Sequence, residues 1–185
     1  MEPFSLRTAR LVLDPPRSED IDLTAAYCTD PEFERFMAAT PWPYERHHAE
    51  WFIEEFVPQA WAEGAEWTWA IRGADAGPLL GIVGMRLRSG MIGYWIGKPH
   101  RGFGFMSEAA AAVVASTFER SALDRVGWEC VRGNVASLRV ARRVGFRYTG
   151  EAPSTIPYRT GEHVPSWTGE LLRGESREPK SGWPV

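Results

Sequence analysis

Hydrophobic and polar positions follow two periods along this chain, which predict strands and helices in a definite order. Apolar runs bounded by turn residues predict strands, and apolar positions three and four residues apart predict helices. The predicted strands cover residues 10–13, 67–71, 79–87, 91–97, 125–131, 146–150 and 167–172. The first predicted helix begins with Ser18 as its N-cap. The other predicted helices cover residues 32–37, 44–63, 107–120 and 134–144. This order predicts an α+β fold, in which helices flank a mixed sheet.

Length and composition predict one domain. The chain has 185 residues, of which 44% are hydrophobic and 24% are charged. These values are ordinary for a single globular domain. We see no internal repeat and no long linker, so we expect one domain over residues 1–173. Residues 174–185 are rich in Arg, Ser, Pro and Gly, and we expect them to form a flexible C-terminal tail.

Charge and cysteine content exclude several classes of protein. A net charge of −3 argues against electrostatic binding of nucleic acid. The chain has no apolar run long enough for a membrane span, no signal peptide and no cysteine spacing for a metal. We therefore expect a cytoplasmic enzyme without a metal, a membrane partner or a nucleic-acid partner. The first 95 residues carry 8 Lys and Arg against 15 Asp and Glu, whereas the rest carry 13 against 9, so the second half suits an anion.

A glycine loop between a strand and an Ala-rich helix is the most informative segment. Gly102 and Gly104 allow a positive φ and a close approach of the backbone to a ligand. The free amides at the start of a helix attract phosphate, and Arg101 adds a charge beside them. Ser107 stands where a dinucleotide fingerprint has its third glycine, which disfavours a nucleotide-binding oxidoreductase. The spacing predicts a phosphate or pyrophosphate site or, alternatively, only a tight turn before a helix.

Two motifs in this region resemble one family. Residues 101–106 resemble the Arg/Gln-x-x-Gly-x-Gly/Ala signature of the GNAT superfamily of N-acetyltransferases, although Met106 departs at the last small position. Asn134 and Ser137, followed by Gly145 and Phe146, resemble the Asn-x-x-Ser…Gly-Phe helix of its ribosomal-protein (Rim) branch. The resemblance extends over residues 5–173.

The resemblance implies a fold and a reaction. The expected sheet is twisted and mostly antiparallel, with about seven strands, a splay between the fourth and fifth strands, and four or five flanking helices. The expected reaction moves the acetyl group of acetyl-CoA to a primary amine by direct attack in a ternary complex. The pantetheine arm would bind the backbone of Trp95, Ile96 and Gly97. The pyrophosphate would bind the loop formed by Arg101, Gly102, Phe103, Gly104, Phe105 and Met106.

The resemblance also implies three side-chain roles. Asn134 would bind the pantetheine arm, although an asparagine there is equally a helix N-cap. Ser137 would act as general acid, because Ala141 stands where other members carry a tyrosine. Glu129 would act as general base, or would simply be a surface glutamate on a strand.

The acceptor cleft of the family corresponds to residues 33–42 and 158–167, which supply aromatic rings and carboxylates. These groups suit a cationic amine. A peptide N-terminus, an amino sugar and a polyamine all stay open as acceptors, and a homodimer stays open as an assembly. The alternative function is a non-catalytic protein of the same fold that binds or senses acyl-CoA.

Overall fold

An eight-stranded sheet forms the centre of the computed structural model, which describes residues 2–37 and 39–185 and leaves out Met1 and Ala38. The strands are β1 (Leu6–Arg7), β2 (Leu11–Asp14), β3 (Glu66–Gly73), β4 (Gly81–Arg86), β5 (Met91–Ile96), β6 (Arg125–Val131), β7 (Arg147–Pro153) and β8 (Pro165–Leu172). Their order in the sheet is β1-β2-β3-β4-β5-β6-β8-β7. Every neighbouring pair is antiparallel except β5 and β6, which are parallel.

The predicted fold class is confirmed, with one strand more than the sequence indicated. The added strand is β1, whose two residues pair with Val12 and Leu13. Two residues are too few to produce an alternating pattern, so periodicity does not detect them. With β1 included, the splayed pair is β5 and β6.

Within the part of the chain that the structure describes, six α-helical segments flank the sheet. They are α1 (Ile21–Tyr27), α2 (Pro31–Phe36), α3 (Arg46–Glu50), α4 (Val57–Glu63), α5 (Phe105–Arg120) and α6 (Val135–Val144). The long helix predicted over residues 44–63 consists of α3, a π-helical turn at Trp51–Phe56, and α4. Pro58 is the second residue of α4, in the first turn after the π-helical turn. Because proline has no amide hydrogen, it disrupts the regular helical ladder, and the wider π turn accommodates that disruption.

The first predicted helix begins differently from the prediction. Ser18 does not cap it; Ser18–Asp20 forms a 3-10 turn instead. The carboxylate of Asp20 accepts the amide of Arg17 at 2.9 Å and the guanidinium of Arg72 at 2.6 Å. Because Arg72 on β3 holds the buried carboxylate of Asp20 in place, this carboxylate, and not the hydroxyl of Ser18, accepts the backbone amide at the start of the segment.

Aromatic residues fill the core on both faces of the sheet. Between the sheet and helices α4–α6, Trp61, Trp67, Trp69 and Phe146 are almost fully buried. On the opposite face, α1, α2 and the π-helical turn pack around a second apolar cluster. The two layers leave one part of the sheet uncovered on that second face, where β5 and β6 diverge.

The C-terminal tail has no helix or strand but packs on the domain. The ring of Trp183 lies 5.7 Å from Trp128 and 5.6 Å from Tyr148. The amine of Lys180 donates to the carbonyl oxygen of Gly145, at the end of α6. One large apolar side chain therefore anchors a segment whose composition alone is typical of a loose tail. Among the helices of the described residues, none combines the length and apolar character of a membrane span.

Candidate active site

The central feature of the site is a gap between β5 and β6. The two strands pair only at Met91–Gly127 and Ile92–Trp128, and they separate beyond those positions. A cavity of about 520 Å³ occupies the gap and reaches the N-terminus of α5, the helix α6 and the helix α2. The unpaired edges of the two strands offer backbone hydrogen bonds to a ligand between them.

Alternate residues of β5 direct their backbone N–H and C=O groups toward this gap. The amide of Gly97 donates to the carbonyl of Leu80 at 2.8 Å, so Gly97 faces the neighbouring strand β4. Since hydrogen-bonding positions alternate along an antiparallel pair, Trp95 also faces β4, whereas Tyr94 and Ile96 face the gap. The carbonyl of Ile96 accepts a hydrogen bond from Arg101 Nε at 3.4 Å, as this direction requires. Of the three predicted backbone positions, Ile96 is the one that faces the gap.

The glycine loop has the geometry of an anion site. Gly102 and Gly104 have φ of +86° and +79°, a conformation that strongly favours glycine. The first backbone bond of α5 runs from the amide of Glu108 to the carbonyl of Gly104. The amides of Phe105, Met106 and Ser107 precede it and have no acceptor within the helix. The loop thus presents three amides at the positive end of a 16-residue helix.

An anchor that the sequence did not reveal holds this loop. Arg10 donates to the carbonyl of Phe103 at 3.0 Å and to the carboxylate of Glu108 at 2.7 Å. Thr8 donates to the same carboxylate at 2.6 Å. Burial alone would raise the pKa of Glu108, but the hydrogen bonds from Thr8 and Arg10 lower it below its ordinary range. The negative charge in the first turn of α5 is therefore compensated and does not oppose an anion.

Arg101 does not extend over the loop that it begins. Its guanidinium lies 2.8 Å from the carboxylate of Asp30, which also caps α2 by accepting the amide of Glu32. His100, the preceding residue, contacts the hydroxyl of Tyr27 at 2.9 Å. The start of the loop is thus tied to the segment between α1 and α2.

Positive charge reaches the cavity from α6. Arg139 and Arg143, four residues apart on this helix, both line the cavity, whereas Arg142 does not. Within the described residues neither of the two lining arginines forms an ion pair. Phe103, although it belongs to the predicted loop, is 61% exposed and lies outside the cavity lining.

Ser137 lies in a cluster of hydrogen bonds at the wall of the cavity. Its amide donates to Asn134 Oδ1 at 3.0 Å, so Asn134 is indeed the N-cap of α6. Its hydroxyl accepts Trp128 Nε1 at 3.1 Å and donates to the hydroxyl of Tyr94 at 3.3 Å. The side-chain oxygen of Asn134 forms the cap, and Asn134 also lines the cavity, so its NH₂ group is a donor available there.

Tyr94 is the functional candidate that sequence reasoning missed. Its hydroxyl donates to the carbonyl of Ser137 at 3.0 Å, and the residue lines the cavity. Burial raises its pKa far above the usual range, so the phenol keeps its proton. Ala141 stands where other members of the family carry a tyrosine, and it is 1% exposed. In this chain the phenol beside Ser137 comes from β5 instead. The signal was available, since Tyr94 belongs to the strand that precedes the glycine loop.

Glu129 also lines the cavity, on the other side of the gap. Both carboxylate oxygens accept the amide of Thr155, at 3.1 and 3.2 Å, and Oε1 accepts its hydroxyl at 2.8 Å. These bonds fix the carboxylate at the edge of the cavity. Cys130 lines the same cavity from the other face of the sheet, where burial raises the pKa of its thiol to about 12.

The predicted acceptor segments separate into lining and core residues. Glu32, Phe33, Phe36 and Met37 line the mouth of the cavity. Trp167 is instead buried, and its indole donates to Glu151 at 3.0 Å. Tyr44 is also buried among core residues.

The loop between β7 and β8 docks beside this mouth. Tyr158 and Arg159 both donate to the carbonyl of Glu34, at the end of α2, at 2.5 Å. Ile156, from the same loop, lines the cavity. Within the described residues, no cluster of three or more His, Cys, Asp or Glu side chains is arranged to hold a metal ion.

Comparison with known proteins identifies the family. The GNAT acetyltransferase domain matches residues 10–147, so the chain belongs to the GNAT acetyltransferase family. It is therefore an acetyl-CoA-dependent N-acetyltransferase. A similar curated protein is the uncharacterized N-acetyltransferase p20 of Bacillus licheniformis. It is 26% identical over 151 residues, which are 79% of this chain and 84% of p20.

Solved structures share the fold. The microcin self-immunity acetyltransferase MccE, solved with acetyl-CoA and AMP, has a TM-score of 0.76 and 17% identity, over 90% of this chain and 94% of MccE. A Salmonella typhimurium acetyltransferase, which modifies the N-terminal serine of a 50S ribosomal subunit protein, has a TM-score of 0.75 and 16% identity, over 90% of this chain and 96% of that protein. Solved structures of Rim-type ribosomal-protein acetyltransferases are thus among those that share the fold of this chain.

Proposed function

We propose that this enzyme acetylates the free amine at the N-terminus of a peptide or protein, using acetyl-CoA in a ternary complex. One observation carries the proposal: a single cavity connects the glycine loop, the gap between β5 and β6, and the mouth at α2. Both substrates therefore have access to the same space. A Salmonella relative modifies the N-terminal serine of a ribosomal protein, which supports this class of acceptor.

The residues around the gap fit the chemistry of acetyl-CoA. Extended amide-containing chains pair with unpaired strand edges, and Ile96 offers such an edge to the pantetheine arm. The amides of Phe105, Met106 and Ser107 suit the pyrophosphate. Arg139 and Arg143 suit the remaining phosphate, because guanidinium groups bind phosphate through paired donors. The NH₂ group of Asn134 adds a donor for a carbonyl of the arm.

The reaction requires a neutral amine and a stabilised thiolate. The amine nitrogen attacks the carbonyl carbon of the thioester; a C–N bond forms, the C–S bond breaks, and one proton passes from nitrogen to sulfur overall. A thiol has a pKa of about 8.5, so the departing thiolate needs only a modest donor. The hydroxyl of Ser137 serves as that donor and Tyr94 orients it. Glu129 accepts the proton of the amine, directly or through water.

Positioning accounts for much of the rate in this proposal. Holding two reactants in an attack geometry contributes up to about 7–11 kcal/mol. Strong acids and bases are therefore not required, which fits a serine hydroxyl in the place of a tyrosine. Trp128, which holds the Ser137 hydroxyl, precedes Glu129 on β6, so Ser137 and Glu129 reach the cavity from opposite faces of the sheet. One face then serves the sulfur and the other serves the amine.

The test is a panel of amine acceptors with thiol release as the readout. Peptides with free N-termini should release CoA and gain one acetyl group by mass, whereas the same peptides with a blocked N-terminus should do neither. An amino sugar and a polyamine complete the panel. Acetylation of these small amines with no peptide turnover would overturn the proposed acceptor class.

A further inference from the structure

Arg86, at the end of β4, lies at the junction of two cavities. It lines the 520 Å³ cavity together with Glu129, and it also lines a second cavity of about 330 Å³. The second cavity lies between the end of α4 and the turn that connects β4 to β5. Arg86 is therefore the side chain that a ligand extending from one cavity to the other would meet.

Two glycines make the floor beside Arg86. A Cβ atom at Gly84 would lie 2.6 Å from the carboxylate of Glu66, and one at Gly93 would lie 3.5 Å from a guanidinium nitrogen of Arg86. The absence of side chains at both positions lets Glu66 and Arg86 lie flat on the sheet. A ligand that crosses the sheet at this point would therefore meet the guanidinium of Arg86 and no side chain from Gly84 or Gly93.

Strand register brings Arg86 to the same face as Glu129. Arg86 pairs with Met91, and Met91 pairs with Gly127 on β6. Two residues further along both strands, Gly93 stands across the gap from Glu129. Since side chains alternate, Arg86, Gly93 and Glu129 share one face of the sheet. The two strands are no longer paired at this point, so the gap separates Glu129 from the guanidinium beside Gly93, and both side chains line the same cavity.

The guanidinium of Arg86 retains free hydrogen-bonding capacity. Its Nε contacts the carboxylate of Glu66 at 3.5 Å, and its side chain is 42% exposed. No hydrogen bond from its two terminal nitrogens to any other described residue is found. A guanidinium with free terminal nitrogens binds a carboxylate through two parallel hydrogen bonds. It also repels a second ammonium group.

We propose that Arg86 selects an acceptor that carries a carboxylate within one or two residues of the reacting amine. The amine would lie at Glu129 and the carboxylate at Arg86. This inference rests on the proposed function and narrows its acceptor. A polyamine is disfavoured, because its second cation would meet Arg86. The carboxylate has two sources, the α-carboxylate of a free amino acid and an acidic side chain at the start of a peptide.

Paired acceptors test this selection. Peptides that differ only by Glu against Gln, or Asp against Asn, at the first or second position are compared by kcat/KM, as are free amino acids against their amides. A charge-assisted pair predicts a preference of about tenfold or more for the acidic member. A preference among peptides alone identifies the side chain, and a preference among free amino acids alone identifies the α-carboxylate.

Variants assign the preference to Arg86. Arg86→Gln should reduce the ratio of kcat/KM between acidic and neutral acceptors to about one. The double variant Glu66→Gln/Arg86→Gln should do the same while leaving no buried carboxylate without its partner. Arg88→Gln is the control, because Arg88 lines only the second cavity, and it should preserve the ratio.

Equal rates for the acidic and neutral members of every pair, both among peptides and among free amino acids and their amides, would overturn the role of Arg86 and leave the proposed function standing. A spermidine rate above that of every acidic acceptor would overturn it as well. Absence of acetylation for every peptide would instead overturn the proposed function, and the comparison of free amino acids with their amides would then decide the role of Arg86.

Discussion

Tyr94 and Ser137 exchange two hydrogen bonds between a strand and a helix that both line the cavity. The phenol donates to the carbonyl of Ser137 at 3.0 Å, and the serine hydroxyl donates to the phenol oxygen at 3.3 Å. Trp128 donates to the same serine hydroxyl from β6. The hydroxyl is therefore held by groups from both edges of the gap, and its orientation depends on all three elements.

Removal of the serine hydroxyl should affect turnover more than binding. Ser137→Ala should lower kcat by about 10- to 100-fold with little change in KM for acetyl-CoA, because the hydroxyl acts on the departing sulfur. Tyr94→Phe should lower kcat less, because it removes only the orienting partner. Ser116→Ala, a buried serine on α5 away from the cavity, is the matched control. Unchanged kcat in Ser137→Ala would remove the proposed role.

The ion pair between Arg101 and Asp30 should influence the acceptor side. Asp30 caps α2, whose residues line the mouth of the cavity, so loss of the pair should loosen that helix. Arg101→Gln and Asp30→Asn should each raise the KM for the acceptor a few-fold. A partly exposed pair contributes about 0.2–1 kcal/mol, so the effects should be small.

A double-mutant cycle distinguishes two roles of Arg101, the ion pair with Asp30 and the pyrophosphate contact that the family signature implies. If its partner is Asp30, the double variant should be no worse than the worse single variant. If Arg101 instead binds the pyrophosphate, Arg101→Gln should raise the KM for acetyl-CoA even when Asp30 is already replaced. That second outcome would contradict the pairing as the functional contact.

The anchor at Glu108 predicts a pH-dependent contribution to stability. The folded-state pKa of Glu108 is lowered from its ordinary 4.5, so the stabilisation is fully present above that value and is lost as the pH falls through the folded pKa. Glu108→Gln should therefore lower the free energy of unfolding at neutral pH and converge with the wild type in acid. Urea unfolding across this range measures it. A difference that is independent of pH would show that the carboxylate charge is not responsible.

Trp183, in the C-terminal tail, should support the hydrogen bonds around the Ser137 hydroxyl. Its ring packs on Trp128, the donor to Ser137, so Trp183→Ala should lower both stability and kcat. A partly buried indole predicts a loss of about 1–3 kcal/mol on unfolding by urea. Trp51→Ala removes an indole that is 54% exposed and should cost less. Wild-type stability and kcat in Trp183→Ala would mean that the tail does not contribute.

Local sequence chemistry predicted the elements that carry the site. Gly102 and Gly104 require a positive φ, and Asn134 has the side chain of a helix N-cap, so each could be interpreted from its own neighbourhood. The glycine loop, α5 and α6 were all located in this way. Local patterns also predict the order of strands and helices along the chain, which indicates the fold class.

The remaining features depend on contacts between residues that are far apart in the chain. Tyr94 meets Ser137 43 positions later, and Arg10 meets Glu108 98 positions later. No periodicity or spacing encodes such pairs, because they arise only when the sheet brings the elements together. The direction of Arg101 could not be predicted for the same reason, since its partner Asp30 belongs to a distant helix.

In the proposed mechanism, acetyl-CoA and the acceptor occupy the cavity together and react directly. Initial rates of thiol release, measured while acetyl-CoA and an N-terminally free peptide are both varied, test it most directly. A ternary complex requires intersecting reciprocal plots and an acetylated peptide, and this is the expected result. Parallel plots with an acetylated enzyme would contradict it, because they indicate a covalent intermediate and a ping-pong order.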